Sequence, residues 1–138
     1  MKNDKANKEF DKDLTKGEIH EDLMKDILCG KMEIKTEGIS DEKKSKWWET
    51  GNMYIECIND VSYSGIWATK SRNWCQRFIG ADGEFKFCLV FPVDELKNLI
   101  KNNNYKTFSP SGGDYGNSKG FLLPLNSLFE HYINNGGI

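Results

Sequence analysis

The segment Gly30-Lys31-Met32-Glu33-Ile34-Lys35-Thr36-Glu37, read with Thr50-Gly51-Asn52-Met53-Tyr54-Ile55-Glu56 downstream, decides how this chain is expected to fold. Both runs alternate apolar and polar residues with a period of two, the pattern of a β-strand resting one face on a core. In the first run Met32 and Ile34 are expected to point into the core, and Glu33 and Lys35 to project together from the opposite face. In the second run Glu56 takes the matching place on the polar side.

Working outward, residues 1–9 read as a flexible polar N-terminus, and the pattern from about Phe10 to Leu28 is helical. Leu23, Met24, Ile27 and Leu28 form an apolar stripe at 3.6-residue spacing. Phe10, Leu14 and Glu21 lie along its edge and Asp26 on the opposite side. Gly17 interrupts the pattern, and Cys29-Gly30 ends it. Residues 38–51 read as a polar loop holding Trp47 and Trp48, followed by a strand over Asn52–Ile58. The stretch from Ile66 to Trp74 suits a short helix or an irregular turn.

Trp74–Ile79 and Glu84–Phe91 flank Gly80-Ala81-Asp82-Gly83, which predicts a hairpin. The almost continuous apolar run Phe85–Phe91 predicts a central strand buried on both faces. Pro92 ends it, and Asp94 is placed to cap a helix bearing Leu96, Leu99 and Ile100. After a Gly/Ser loop over 109–119, Gly120–Leu123 reads as a short edge strand. A last helix, capped by Asn126 or Ser127, carries Leu128, Phe129, Tyr132 and Ile133 on one face. This order predicts an α/β (α+β) domain over 10–138 with one central sheet.

Composition narrows the function. A chain of 138 residues with 29% charged and 38% hydrophobic residues suits one soluble domain. A net charge of −2 and a pI near 5.7 argue against coating nucleic acid by bulk charge. Contact would have to come from local patches or a bound metal. Lys70, Arg72 and Arg77 form one such patch, and four lysines against Asp114 between Lys97 and Lys119 form another. Either patch is also explained as a solvated face. Cys29, Cys57, Cys75 and Cys88 lack metal-ligand spacing and have apolar neighbours, which points to free buried thiols in an intracellular, reducing compartment. Neither a leader peptide nor a membrane span is expected.

Glu33 and Lys35 carry the strongest chemical signal. Metal-assisted phosphodiester cleavage needs carboxylates around a divalent cation and a group that positions the attacking water. An acid and a lysine two apart on a strand share a face and can serve both needs. Acid-x-Lys also starts at Asp41, Glu42, Glu84 and Glu95, but only Glu33 lies within the body of a strand. That strand follows a helix offering Glu21 near its buried edge.

The order of Phe10–Gly17, Glu21, Met32-Glu33-Ile34-Lys35-Thr36, Thr50–Glu56 and Ser64-Gly65-Ile66 with Thr69-Lys70 resembles phage-type nucleases of the PD-(D/E)xK superfamily. These are relatives of Holliday-junction resolvases and restriction endonucleases. The Phe91-Pro92-Val93-Asp94-Glu95-Leu96 segment and the run from Gly112 to Leu125 add to the likeness, which covers roughly residues 10–130. The resemblance implies a restriction-endonuclease-like central mixed sheet flanked by helices. It implies a DNA endonuclease that uses Mg²⁺ or Mn²⁺, works in recombination or DNA processing, and is compatible with a homodimer.

Carried over residue by residue, the likeness gives Glu21 as the helix acid and Glu33 with Lys35 as the strand pair. The remaining acid is Asp26 or Glu56. The preferred assignment has Glu33 and Glu56 as metal ligands on adjacent strands. Ile58 stands where a lysine would follow Glu56, so Lys35 or Lys70 supplies that charge. The alternative is a catalytically inactive module on the same fold that binds nucleic acid or protein. Plainer readings stand beside these: Glu21 as an exposed helix acid, Glu33, Lys35 and Glu56 as solvated strand faces, and Trp47 and Trp48 as cover for a core edge or as base-stacking groups.

Overall fold

The computed structural model describes residues 12, 18, 21–22, 24–25, 27–38, 46–59, 62–108 and 118–134. The described residues between 12 and 29 are helical, as their periodicity predicts. Then come β1 (Met32–Glu37), a one-turn helix α1 (Trp47–Thr50), β2 (Asn52–Asn59), β3 (Ser62–Tyr63) and α2 (Gly65–Ala68). The hairpin β4 (Asn73–Ile79) and β5 (Phe85–Pro92) leads into α3 (Val93–Asn102). The chain closes with β6 (Lys106–Phe108), β7 (Lys119–Pro124) and α4 (Leu125–Asn134). The class is mixed α and β, as expected. Among the described residues the single central sheet is not found: their strands form two sheets, ordered β1-β4-β5 and β3-β2-β7-β6.

In the first sheet β1 runs parallel to β4, while β4 and β5 are antiparallel. A parallel pair needs a long crossover, and here the crossover contains β2, β3 and α2. The expected pairing of β1 with β2 therefore does not occur: β2 pairs with β3 and β7. The central strand is β4, buried on both faces from Asn73 to Gln76. Strand β5 was expected there, but it is an edge strand with Phe85 53% exposed. An apolar run fits an edge strand when one face packs on a core and the hairpin places it outermost. Strand β7, expected at an edge, lies between β2 and β6.

The core joins Trp74, Phe78 and Phe91 of the first sheet to Met53, Ile55 and Leu123 of the second. Ile66, Leu96, Leu99, Ile100 and Leu128 close it from the helices. Trp47 seals one end, donating its indole N–H to the Ile79 carbonyl at 2.7 Å and packing edge-on against Phe78 and Phe87. That is the core-cover role for this tryptophan. On α4, Leu128 is buried but Phe129 and Ile133 are exposed, so only part of its predicted face is used. Of the N-terminal helical stripe, Met24 and Leu28 are exposed and Ile27 is half-buried, while Leu23 lies outside the described residues. Cys57 and Cys75 are buried free thiols, as expected, whereas Cys29 and Cys88 are exposed.

The orientation of β1 reverses the expectation. Register places Glu33, Lys35 and Glu37 beside Trp74, Gln76 and Phe78, the inward set of β4. Ile34, assigned to the core, is 57% exposed. The reason lies in β2. Its Tyr54 turns its N–H and C=O away from β7, on a stretch that β3 does not cover, since β3 pairs only with Ile58 and Asn59. Glu37 Oε1 accepts the Tyr54 N–H at 2.5 Å, and Gln76 Nε2 donates to the Tyr54 carbonyl at 3.3 Å. Two side chains thus satisfy a backbone edge that a strand would otherwise have to pair.

Candidate functional site

On β1, alternation brings Glu33 and Lys35 to one face and their charges into contact, Lys35 Nζ lying 2.9 Å from Glu33 Oε1. Both side chains are about one-third exposed, so the pair is accessible but not freely solvated. Lys35 Nζ also stands 5.9 Å from the centre of the Trp74 ring, which shields one side of the ammonium. Thr69, just past the end of α2, donates its hydroxyl to Glu33 Oε2 at 3.4 Å. The same hydroxyl accepts the Ser71 N–H at 3.2 Å, which orders the segment leading into β4.

Glu56 has a different setting. It lies on the side of β2 opposite Met53, Ile55 and Cys57, which enter the core. Its Oε1 accepts the Ser64 hydroxyl at 2.6 Å. Ser64 precedes α2 and Thr69 follows it, so the two ends of one short helix hold carboxylates from two different sheets. A turn of helix advances ~5 Å along its axis. The approach is tightest at Gly65, whose φ is +51° and where an added Cβ would come within 2.1 Å of the Glu56 carbonyl oxygen. Glu33 and Glu56 are therefore not neighbours on adjacent strands, because β1 found its partner in β4. Glu21 is helical and exposed, and Asp26 lies outside the described residues. Among the described residues, no three His, Cys, Asp or Glu side chains gather around a common point.

Of the paired side chains, Glu33 is the one that could ligate a hard cation, although Lys35 and Thr69 already engage its two oxygens. Mg²⁺ is commonly held by one or two carboxylates, with water and substrate phosphate completing its shell. Glu33 offers one partly exposed carboxylate beside a hydroxyl. Glu56 stands on the other sheet, where Ser64 engages it.

Thr69 also lines a cleft of about 540 Å³ where the segment 69–73 meets the first turn of α3. Lys70, Arg72 and Lys97 border it, with Asp94 as the opposing charge. Asp94 was expected to cap α3, but the N-cap is Pro92, with no side-chain cap bond. Asp94 instead stands in the first turn.

Glu37 is a residue that sequence reasoning passed over. It is 6% exposed, and burial pushes its carboxyl up to about 8 against the opposing effect of hydrogen bonds from Tyr54 and Gln76. Among the described residues its Oε2 has no hydrogen-bond partner. The available signal was the alternation itself, which puts Glu37 in the same set as Glu33 and Lys35. No local signal joins Thr69, Asn73 and Lys97, which come together only through the β1–β4 pairing and the start of α3.

No protein-family model, curated protein or solved structure matches this chain.

Proposed function

We propose that this chain is a metal-dependent DNA endonuclease of the PD-(D/E)xK type, with Glu33 and Lys35 at its reactive centre. The observation that carries the reading is continuity: Thr69 touches Glu33 and also lines the cationic cleft. A backbone held in that cleft would bring a phosphodiester alongside the pair. Glu33 is the residue to hold a Mg²⁺ or Mn²⁺ ion, which when bound lowers the pKa of water and offsets charge on the phosphate. Thr69 fixes the orientation of the Glu33 carboxylate. Lys35 orients the attacking water and stabilises negative charge as it builds on the phosphate. The reading assigns no step to Glu21 or Glu56.

The test is cleavage of linear, branched and supercoiled DNA with either metal, with chelator as control. Glu33→Ala should abolish cutting. Lys35→Ala should lower turnover by about 10²–10³ with DNA affinity unchanged, because its interaction develops in the transition state. Lys70→Ala should weaken binding and reduce the salt dependence by about one unit of slope. Failure to cut any DNA form with either metal would overturn the reading. A second reading, an inactive nucleic-acid-binding module, draws on the separation of Glu33 and Glu56 onto different sheets. Retardation of DNA without cleavage would select it.

A further inference from the structure

The cleft beside the Glu33–Lys35 pair has three polar side chains, Asn73, Lys70 and Lys97, that the described residues leave without a partner. Asn73, at the start of β4, is only 7% exposed and lines the cleft. Its side chain makes no hydrogen bond among the described residues, and neither amide atom is sealed from the open space. The amide is therefore largely enclosed yet open toward the cleft, where it can meet a ligand or water. Lys70 is exposed and Lys97 half-buried, and neither has an ion-pair partner among the described residues. Arg72 adds a third positive charge to the rim, and Asp94 is the one carboxylate among the described lining residues.

The helix end gives a second set of donors. Helix α3 is ten residues long and starts at the cleft without a side-chain cap. The Val93 N–H is used by the Arg72 carbonyl at 2.8 Å. The next first-turn N–H groups have no acceptor within the helix and favour an anion.

We propose that this cleft is a phosphate-binding site in which Asn73, Lys70 and Lys97 hold the anion at the start of α3. A phosphate offers several acceptor oxygens to an amide, two ammonium groups and backbone N–H donors at once. The cleft volume leaves room for the nucleoside attached to it. That the phosphate belongs to DNA rests on the proposed nuclease reading; the binding of phosphate itself does not.

The test is a ¹H–¹⁵N NMR titration of the full chain with inorganic phosphate, with sodium chloride as the ionic-strength control. The expected result is a saturable shift of the Asn73 side-chain amide and of backbone amides at Ser71 and Asp94. Titrations with a thymidine dinucleotide, with and without a 5′-phosphate, tell a terminal phosphate from an internal phosphodiester. Lys97→Gln and Lys70→Gln should each weaken binding several-fold. Asn73→Asp, which keeps the shape but adds repulsion, should weaken it by about tenfold or more. The two lysine variants are on the surface and keep the test decisive if the Asn73 variant does not fold. Shifts that do not saturate, that chloride reproduces, or that survive both lysine substitutions would overturn the proposal. DNA cleavage is measured on the same wild-type preparation. Phosphate binding without cleavage sinks only the nuclease reading, and cleavage without phosphate binding sinks only this site.

Discussion

Replacing Glu37 by glutamine should change how stability depends on pH. Glu37 is 6% exposed, and its folded-state pKa stands at about 8, against an ordinary glutamate value of 4.5. Between those two values the folded chain keeps a proton that the unfolded chain has released. The folded state then binds more protons, so its stability must fall as pH rises. The contribution is fully present below about pH 4.5 and is lost by the time pH passes about 8. Each unit within the window costs about 1.4 kcal/mol, or roughly 5 kcal/mol across all of it. Glutamine keeps the oxygen that accepts the Tyr54 N–H and cannot ionise. Urea unfolding of wild type and Glu37→Gln, followed by tryptophan fluorescence at pH 5, 6, 7 and 8, isolates the effect. Groups common to both proteins cancel in the difference. The variant should gain on wild type steadily from pH 5 to pH 8. A difference that stays constant over that range would refute the reasoning. It would mean that the carboxyl ionises at an ordinary pKa and is not buried against the β2 edge.

Gly65→Ala should cost more stability than Gly51→Ala. Both glycines have positive φ, which costs about 1–2 kcal/mol for alanine, but Gly51 has open space around it while Gly65 faces the Glu56 carbonyl. The extra overlap at Gly65 should add about 1–3 kcal/mol in denaturant unfolding; equal losses would show that the close approach is absent. Trp47→Phe should cost about 1–3 kcal/mol, because the Ile79 carbonyl loses its donor. DNA affinity should not change, and a selective loss of affinity would return Trp47 to the base-stacking role.

The local pattern was legible wherever one element decides its own conformation. The Gly80–Gly83 turn produced the expected hairpin, with the Gly80 N–H donating to the Glu84 carbonyl at 2.8 Å. Leu96, Leu99 and Ile100 of α3 are buried as their spacing predicts. Glu33 and Lys35 share a face because strand geometry demands it. The candidate site was legible to that extent and no further. Its other parts, Thr69, Asn73 and Lys97, sit 36, 40 and 64 positions beyond Glu33 and show no common pattern.

The sequence by itself determined most of the elements, the mixed class and the pairing of an acid with a lysine on β1, since each rests on periodicities of a few residues; the short α1, β3 and β6 carry too few residues to show a period. Only the tertiary structure decided which strands meet and which face of β1 turns inward. Apolar alternation assigned Ile34 to the core, and it lies exposed. Satisfying the uncovered backbone of Tyr54 drew Glu37 and Gln76 inward, and the parallel partnership with β4 brought Glu33 to Thr69 and left Glu56 on another sheet. Strand pairing is settled by long-range hydrogen bonding and shared burial, and neither is written in the period of a single strand.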